Sequence, residues 1–442
     1  MREILDFCKR YEMLPADSLI LAAVSGGRDS MCMLHMLHSL SGQLGFSLAA
    51  VHYNHKLRGP ASDADAAFTQ EACRQLGIPC CTGSGDVAAA AAASGRGIEE
   101  TARSMRYAFF RAAAEKTGAA RVATAHTADD NAETVLFNLT RGSGTRGLCG
   151  IPPVRDIFVR PLLCISRAQV DAYLQENGIP YREDATNQTD DYTRNRIRHH
   201  VIPVLKEINP AFCAAVSGMT ALLQDDETCL DAQAAQFIAD CCPGGRCPAK
   251  ALAALPRAVS SRVVRRLFGM GLSRRHVDAV LALAAGSNPS ASIDLDGVTV
   301  RREYDRLTDR PAGGTFDPVT ISPGETKILP GTGLRVRCAL CPPGEKFYKS
   351  FTTFLLNSDI ICGTIMIRPR QAGDSFCPTG RGCTKSLKKL LIEEKIPAAQ
   401  RGLIPVAADS RGILAVYGLG TDARTMPDGV HSVLKITFEE NI

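Results

Sequence analysis

The chain has 442 residues, 45% of them hydrophobic, and a formal net charge of +5. That length exceeds what one hydrophobic core organises, so two or three domains are expected, and so mild a charge excludes a surface that is basic throughout. No stretch approaches the roughly 20 apolar residues that cross a bilayer, and the opening MREILDFCKRYEML lacks the apolar core of a secretion signal, so a cytoplasmic protein without a membrane partner is expected.

The first element is a short apolar run at 18–24 (SLILAAV), which ends in SGGRDS and passes into the helix-forming MCMLHMLHSL. A second run at 47–53 (SLAAVHY) leads through a polar loop into a helical stretch at 62–76, with Ser62 as its expected cap. The alanine run at 88–93 reads as a loop or weak helix. A long helix at 98–116, a strand at 121–125 and a helix opening near Ala128 complete a third unit. Strands alternating with helices imply βαβ units and a doubly wound parallel sheet, in which ligands bind beyond the carboxyl ends of the strands. SGGRDS, HYNHKLR and AHTADDNAET all fall at such ends.

Beyond residue 210 the sequence becomes rich in Ala and Leu and helical, with β-like pieces at 293–307, and from 309 to 344 glycines and prolines become dense. The expected division is 1–210 for a nucleotide-binding catalytic domain, 211–310 for a mainly helical substrate-binding domain, 311–356 for a connecting region and 357–442 for a small α+β domain. Two segments are basic. Residues 255–276 hold six arginines and no acidic residue, and residues 365–402 hold eight basic residues against three acidic ones. Taken singly, each reads as a solvated helix face; together, downstream of a nucleotide site, they favour a polyanionic substrate.

Seventeen cysteines are scattered without a disulfide pattern. Neither the Cys338/Cys341 CxxC nor the group Cys241, Cys242 and Cys247 has a second ligand pair nearby in sequence, so small core residues are the better reading of both.

The strongest chemical signal is Ser25-Gly26-Gly27-Arg28-Asp29-Ser30 between a buried strand and a helix. Adjacent glycines let backbone approach a phosphate, Ser25 and Ser30 can donate to its oxygens, and the helix start adds unpaired amides. The lysine and spacer of GxxxxGK[ST] are absent. Further on, His52, Asn54, His55 and Arg58 end the second strand, Arg103, Arg106 and Tyr107 lie on a helix, and His126, Asp130 and Glu133 follow at spacings of four and three. If that helix begins near His126, the last three share a face and can hold a base, bind Mg²⁺ and accept a proton. A helix start that is acidic only because of the helix dipole is the alternative.

The SGGRDS loop resembles that of the PP-loop ATP pyrophosphatases, which cleave ATP between the α- and β-phosphates. With Arg141-Gly142-Ser143-Gly144-Thr145-Arg146, Arg160-Pro161-Leu162-Leu163, Asp184-Ala185-Thr186-Asn187 and Arg194-Asn195-Arg196-Ile197-Arg198-His199, the motifs of residues 20–205 resemble those of the tRNA(Ile)-lysidine synthetases. The resemblance thins in the middle and returns with Ile367-Arg368-Pro369, Ala372-Gly373-Asp374 and KSLKKLL at 385–391. It implies ligation of lysine to the two-position carbon of the wobble cytidine of a CAU-anticodon isoleucine tRNA, through an adenylated cytidine, releasing AMP and pyrophosphate. The modified base then pairs with A instead of G.

The resemblance also assigns roles. Ser25 to Ser30 bind ATP, Asp29 sits by Mg²⁺, His126 and Asp130 recognise the base, Glu133 is the catalytic carboxylate and Arg106 contacts the reacting groups. His52, Asn54, His55, Arg58, Arg141, Arg194 and Asn195 are further active-site candidates, and a second copy of the chain is a candidate partner. Competing readings are a tRNA cytidine thiolase, which needs cysteines at the ATP site, a tRNA-binding protein with a vestigial nucleotide site, and a small-molecule amidating synthetase.

Overall fold

The computed structural model describes residues 1–57, 59–182, 193–295, 297–309, 313–343 and 350–440. The chain divides into two compact units, Met1–Cys229 and Leu230–Ile442.

The first unit runs α1 (Arg2–Arg10), β1 (Leu19–Ala23), α2 (Arg28–Leu44), β2 (Ser47–Asn54), α3 (Pro60–Gln75), β3 (Cys80–Ser84), α4 (Val87–Ser94), α5 (Ile98–Thr117), β4 (Arg121–Ala123) and α6 (Ala128–Thr140). It continues with α7 (Thr145–Leu148), β5 (Val154–Arg155), β6 (Phe158–Val159), α8 (Arg167–Glu176), α9 (Thr193–Arg196), a π-helical turn at Ile197–Val201, α10 (Ile202–Ile208) and α11 (Phe212–Cys241), within which the unit ends.

Strand order is β3-β2-β1-β4-β6-β5, parallel except for the β5–β6 pair. β1 (LILAA) can be apolar throughout because helices cover both faces: Ile20 and Ala22 join a core with Met31, Leu34 and Leu37 of α2, while Leu21 packs on the other face with Val51, Phe110 and Val122. The order reverses between β1 and β4. In open parallel sheets such a switch point is where a crevice forms at the strand ends, and the loops after β1 and β4 both leave the sheet there.

Two local details differ from the sequence reading. α3 starts at Pro60 behind Gly59 with no side-chain cap, so Ser62 is a buried residue inside the helix and not its cap. The alanine run is a helix, α4, capped by Asp86, whose side chain accepts from the Ala89 amide at 3.0 Å.

In the second unit, helices Ala249–Ala254, Arg257–Phe268 and Arg274–Ala285 pack with a four-stranded sheet around Leu252, Val263, Phe268, Val280 and Leu307. The remainder is mostly antiparallel sheet, with one α-helix, Leu387–Glu393, among the described residues. The described residues of the segment expected to be a connection, 313–343 and 350–356, contribute strands to these sheets. Val319–Ile321 pairs with Ile365–Arg368, and Leu334–Cys341 and Thr353–Asn357 flank the last strand, Val433–Glu440, on its two sides. Its described glycines and prolines fall between short strands, in which alternating residues such as Leu334, Val336 and Cys338 face the core.

Candidate functional site

The phosphate-loop candidate is held open by its own side chains. Gly26 has φ +84°, a backbone conformation that suits glycine, and a Cβ there would stand 3.0 Å from Thr69 Oγ1 of α3. Ser30 Oγ donates to the Gly27 carbonyl at 2.8 Å and accepts from the Ser25 amide at 3.1 Å, closing the turn. Ser25 is left exposed at the loop tip. No side chain caps α2 behind Gly27, so the first-turn amides remain available to an anion. Burial, and then the Asp130 carboxylate, push Asp29 up to about 6, and its Oδ1 is buried with no hydrogen-bond partner.

Across the crevice, α6 begins at Ala128. Thr127 is its cap, and Asp130 completes a capping box by accepting from the Thr127 amide at 2.8 Å. His126 therefore precedes the helix instead of sharing its face, and its Nδ1 meets Thr124 Oγ1 at 3.1 Å. Asp130 and Glu133 do share a face, as their spacing of three requires. Arg198 grips Glu133 with two nitrogens, at 2.5 and 2.8 Å, and reaches Asp130 at 3.4 Å. Arg167 reaches Asp130 at 3.1 Å and Glu133 at 3.7 Å. Glu133 is only 3% exposed; burial pushes its carboxyl upward, against the pull of Arg198. Asp130 thus both caps the helix and pairs with Arg167.

The neighbours of these two carboxylates are scaffold. Burial acts to raise Asp129, but Lys206 at 2.7 Å and the Arg167 amide at 2.8 Å outweigh it and hold the carboxyl below its usual range. Asn131 ties α6 to Thr220 of α11 at 3.0 Å and to the Ile151 amide at 2.8 Å.

A cationic and aromatic wall completes the site. His126 is pulled down to about 4 by burial and by Arg160, Arg103 and Arg106, against Asp130, so it is neutral at pH 7. Arg103 stacks over Tyr107 at 4.9 Å, and Arg106 lies at 5.9 Å from the same ring. His55 is also pulled down to about 4, by burial and then by Arg106, which brings the end of β2 beside α5. His52 Nδ1 donates to the Val24 carbonyl at 2.8 Å, while Asn54 bonds to Asp63 at 2.9 Å and to the Lys56 amide at 2.9 Å. His52 and Asn54 therefore brace the strand ends.

Other predicted residues are more scattered. Arg28 turns away to Asp171 of α8, at 2.9 and 3.0 Å from its two oxygens. Arg141 and Arg194 stack on Phe137 at 5.1 and 5.7 Å, and Asn195 lies beside Arg194 on α9. Arg58 and the Asp184–Asn187 motif lie outside the described residues. Arg167, Arg198 and Lys206 were not predicted as site residues. Arg198 stands inside a quoted motif, but only the π-helical turn that carries it explains its reach, and no local signal marks Arg167 beyond its place behind the capping Ser166.

The basic segments are less basic in space than in sequence. Arg262 and Arg266 pair with Asp231, and Arg257 and Arg274 pair with Asp278. Arg381 and Lys385 pair with Glu393. Arg275, Arg370, Lys388 and Lys389 are exposed and carry no ion pair among the described residues. Cys338 is buried while Cys341 lies at an odd spacing on the same strand, so the two face opposite sides and cannot chelate together. Cys242 and Cys247 are buried in the second unit's core. Among the described residues no group of three His, Cys, Asp or Glu could hold a metal ion by itself. Cys32 and Cys73 lie in the core, and Cys149 bonds to backbone near α11.

Comparison with known proteins agrees along the chain. Residues 2–205 match the PP-loop domain family, residues 248–308 the TilS substrate binding domain and residues 365–434 the TilS substrate C-terminal domain. The tRNA(Ile)-lysidine synthase of Dehalococcoides mccartyi is 34% identical over 98% of this chain and 98% of its own. Those of Caldanaerobacter subterraneus and Symbiobacterium thermophilum are 32% and 34% identical, covering 95% and 98% of this chain and 93% and 96% of theirs. Similarity of that extent across both units places this chain in the tRNA(Ile)-lysidine synthase family of PP-loop ligases.

Proposed function

We propose that the chain ligates lysine to the wobble cytidine of a CAU-anticodon isoleucine tRNA in two steps at the β1/β4 crevice. The observation that carries this reading is that α8 meets both the Ser25–Ser30 loop, through Arg28 on Asp171, and the carboxylates Asp130 and Glu133, through Arg167.

A ring carbonyl is a poor leaving group. The oxygen at the two-position first attacks the α-phosphate of ATP and pyrophosphate departs; the ε-amine of lysine then attacks the carbon and expels AMP. The open amides of α2, with Ser25 and Ser30, bind the departing pyrophosphate. Neutral His126, together with Asp130, offers the base edge a hydrogen-bonding pair. Arg106 faces the reacting groups, and burial suits its charge to a phosphate partner. Glu133 takes the proton of the attacking amine, and its raised affinity for a proton fits that task.

Asp29, with one buried unpartnered oxygen beside the loop, fits a Mg²⁺ ion that arrives with the phosphates and needs only one or two protein carboxylates. When bound, such an ion neutralises charge on the departing pyrophosphate. The exposed Lys388, Lys389, Arg370 and Arg275 are the cations best placed to meet tRNA phosphates. Among the described residues no helix is long and apolar enough to cross a membrane, in keeping with a cytoplasmic place of action.

The test is incorporation of labelled lysine into an unmodified isoleucine tRNA transcript with ATP and Mg²⁺, beside the methionine tRNA with the same anticodon. Label in the isoleucine tRNA alone is expected. ATP hydrolysis without label in either tRNA would move the reading to thiolation or another acceptor.

A further inference from the structure

Helix α8 and the residues just after it touch the phosphate loop and the catalytic carboxylates together. Asp171 receives Arg28, the first residue of α2, on both carboxylate oxygens at 2.9 and 3.0 Å. One turn earlier on the same face, about 6 Å along the axis, Arg167 reaches Asp130 at 3.1 Å and Glu133 at 3.7 Å. Beyond the helix, the Arg182 amide donates to the Gly26 carbonyl at 3.0 Å, and its side chain holds Asp65 of α3 at 2.5 Å. The Tyr181 ring lies 5.9 Å from the Arg28 guanidinium.

The loop is thus held by α8 through Asp171 and by the segment that follows the helix through Arg182. The helix also bears the cation that orients the attacking side of the site. Its capping box, Ser166 with Gln169, fixes where the helix begins and hence where Arg167 stands.

We propose that α8 is a strut setting the spacing between the phosphate loop and the Asp130/Glu133 pair, and that Arg28 is a positioning residue acting through Asp171, not a phosphate ligand. The proposal rests on the reading that ATP binds at this loop. Phosphoryl chemistry is sensitive to misplacement of about 1 Å, so a fixed distance between leaving-group and attacking sides has direct value. The Arg28 and Asp171 side chains are 35% and 45% exposed. An ion pair that open to solvent adds little to folding stability, so variants that lose it keep their fold.

The experiment is a double-mutant cycle on the full chain, reading the Kd of Mg·ATP with Tm as a control. Arg28→Met and Asp171→Asn are each expected to weaken ATP about fivefold. The double variant should be no weaker than either single one, with Tm and the KM for lysine unchanged. If Arg28 is a phosphate ligand, Arg28→Met weakens ATP while Asp171→Asn does not, and the proposal falls. It falls equally if the two losses multiply to about 25-fold or follow a drop in Tm. A wild-type chain that binds no ATP would fail the nucleotide reading itself; a wild type that binds, with independent losses, fails only the strut.

Discussion

Charge is handled differently around α6 of the first unit and among the surface cations of the second. In the first, Asp129, Asp130 and Glu133 are drawn into contact with Arg167, Arg198 and Lys206 from three later segments, and Asp129 and Glu133 are buried. In the second, arginines of two helices are met by Asp231 and Asp278, which lie outside the first basic run, and Arg381 and Lys385 are met by Glu393. Counting charge along the chain therefore overstates the second region, whose excess is partly cancelled in space. It understates the first, where a motif shows its carboxylates but not the cations that aim them. Buried charges must be paired to be tolerated, whereas exposed pairs form at little cost and little gain.

The largest expected effect tests the buried side of this contrast. Glu133→Gln should lower lysine transfer by at least about 10²-fold with ATP affinity close to wild type, measured as labelled lysine incorporation against nucleotide binding. Its Tm should also fall, because Arg198 loses the charge it grips. Asp29→Asn should lower turnover by a comparable factor of about 10² yet raise Tm at pH 7. The sign follows from linkage: Asp29 holds its proton up to about pH 6 in the folded chain, well above the usual carboxylate range, so the wild type loses stability as pH rises from about 4 to about 6. The asparagine variant does not. Its Tm advantage should grow across that window and level off above it, and a constant difference would show that Asp29 is not held protonated by burial.

Smaller effects sharpen the other side. Reversing Lys388 and Lys389 to glutamate should weaken tRNA binding about tenfold and flatten its salt dependence, with ATP affinity unchanged. Reversing Arg265 and Arg266 should cost only about threefold in tRNA affinity and lower Tm, since Arg266 meets Asp231 at 3.2 Å and Arg265 meets the Leu272 carbonyl at 3.3 Å. Equal losses from both pairs would mean that ion pairing does not decide which cations reach the RNA. Cys341→Ala should change neither activity nor metal content, measured by elemental analysis.

Much of the fold was legible because its signals are local. The apolar runs that became β1, β2 and β4 and the glycine pair after β1 depend on neighbours within a few residues. The helix opening near Ala128 and the one-face pairing of Asp130 with Glu133 are equally short-range, although the cap at Thr127, which was not read from the sequence, excluded His126 from that face. Less legible was the segment 311–356, because glycines and prolines look alike in a linker and in the turns between short strands. Its strands exist through pairing with chain as far away as Val433–Glu440.

By itself, the sequence determined the alternation of strands and helices, the phosphate loop at a strand end and the family's order of motifs, since periodicity and spacing are properties of adjacent residues. Only the tertiary structure decided that Arg28 faces Asp171, that Arg198 clamps Glu133 from 65 residues away and that Asp29 keeps an oxygen without a partner. Hydrogen bonds and ion pairs act over a few ångströms of space whatever the distance along the chain, and which groups come that close is set by how the helices pack on the sheet.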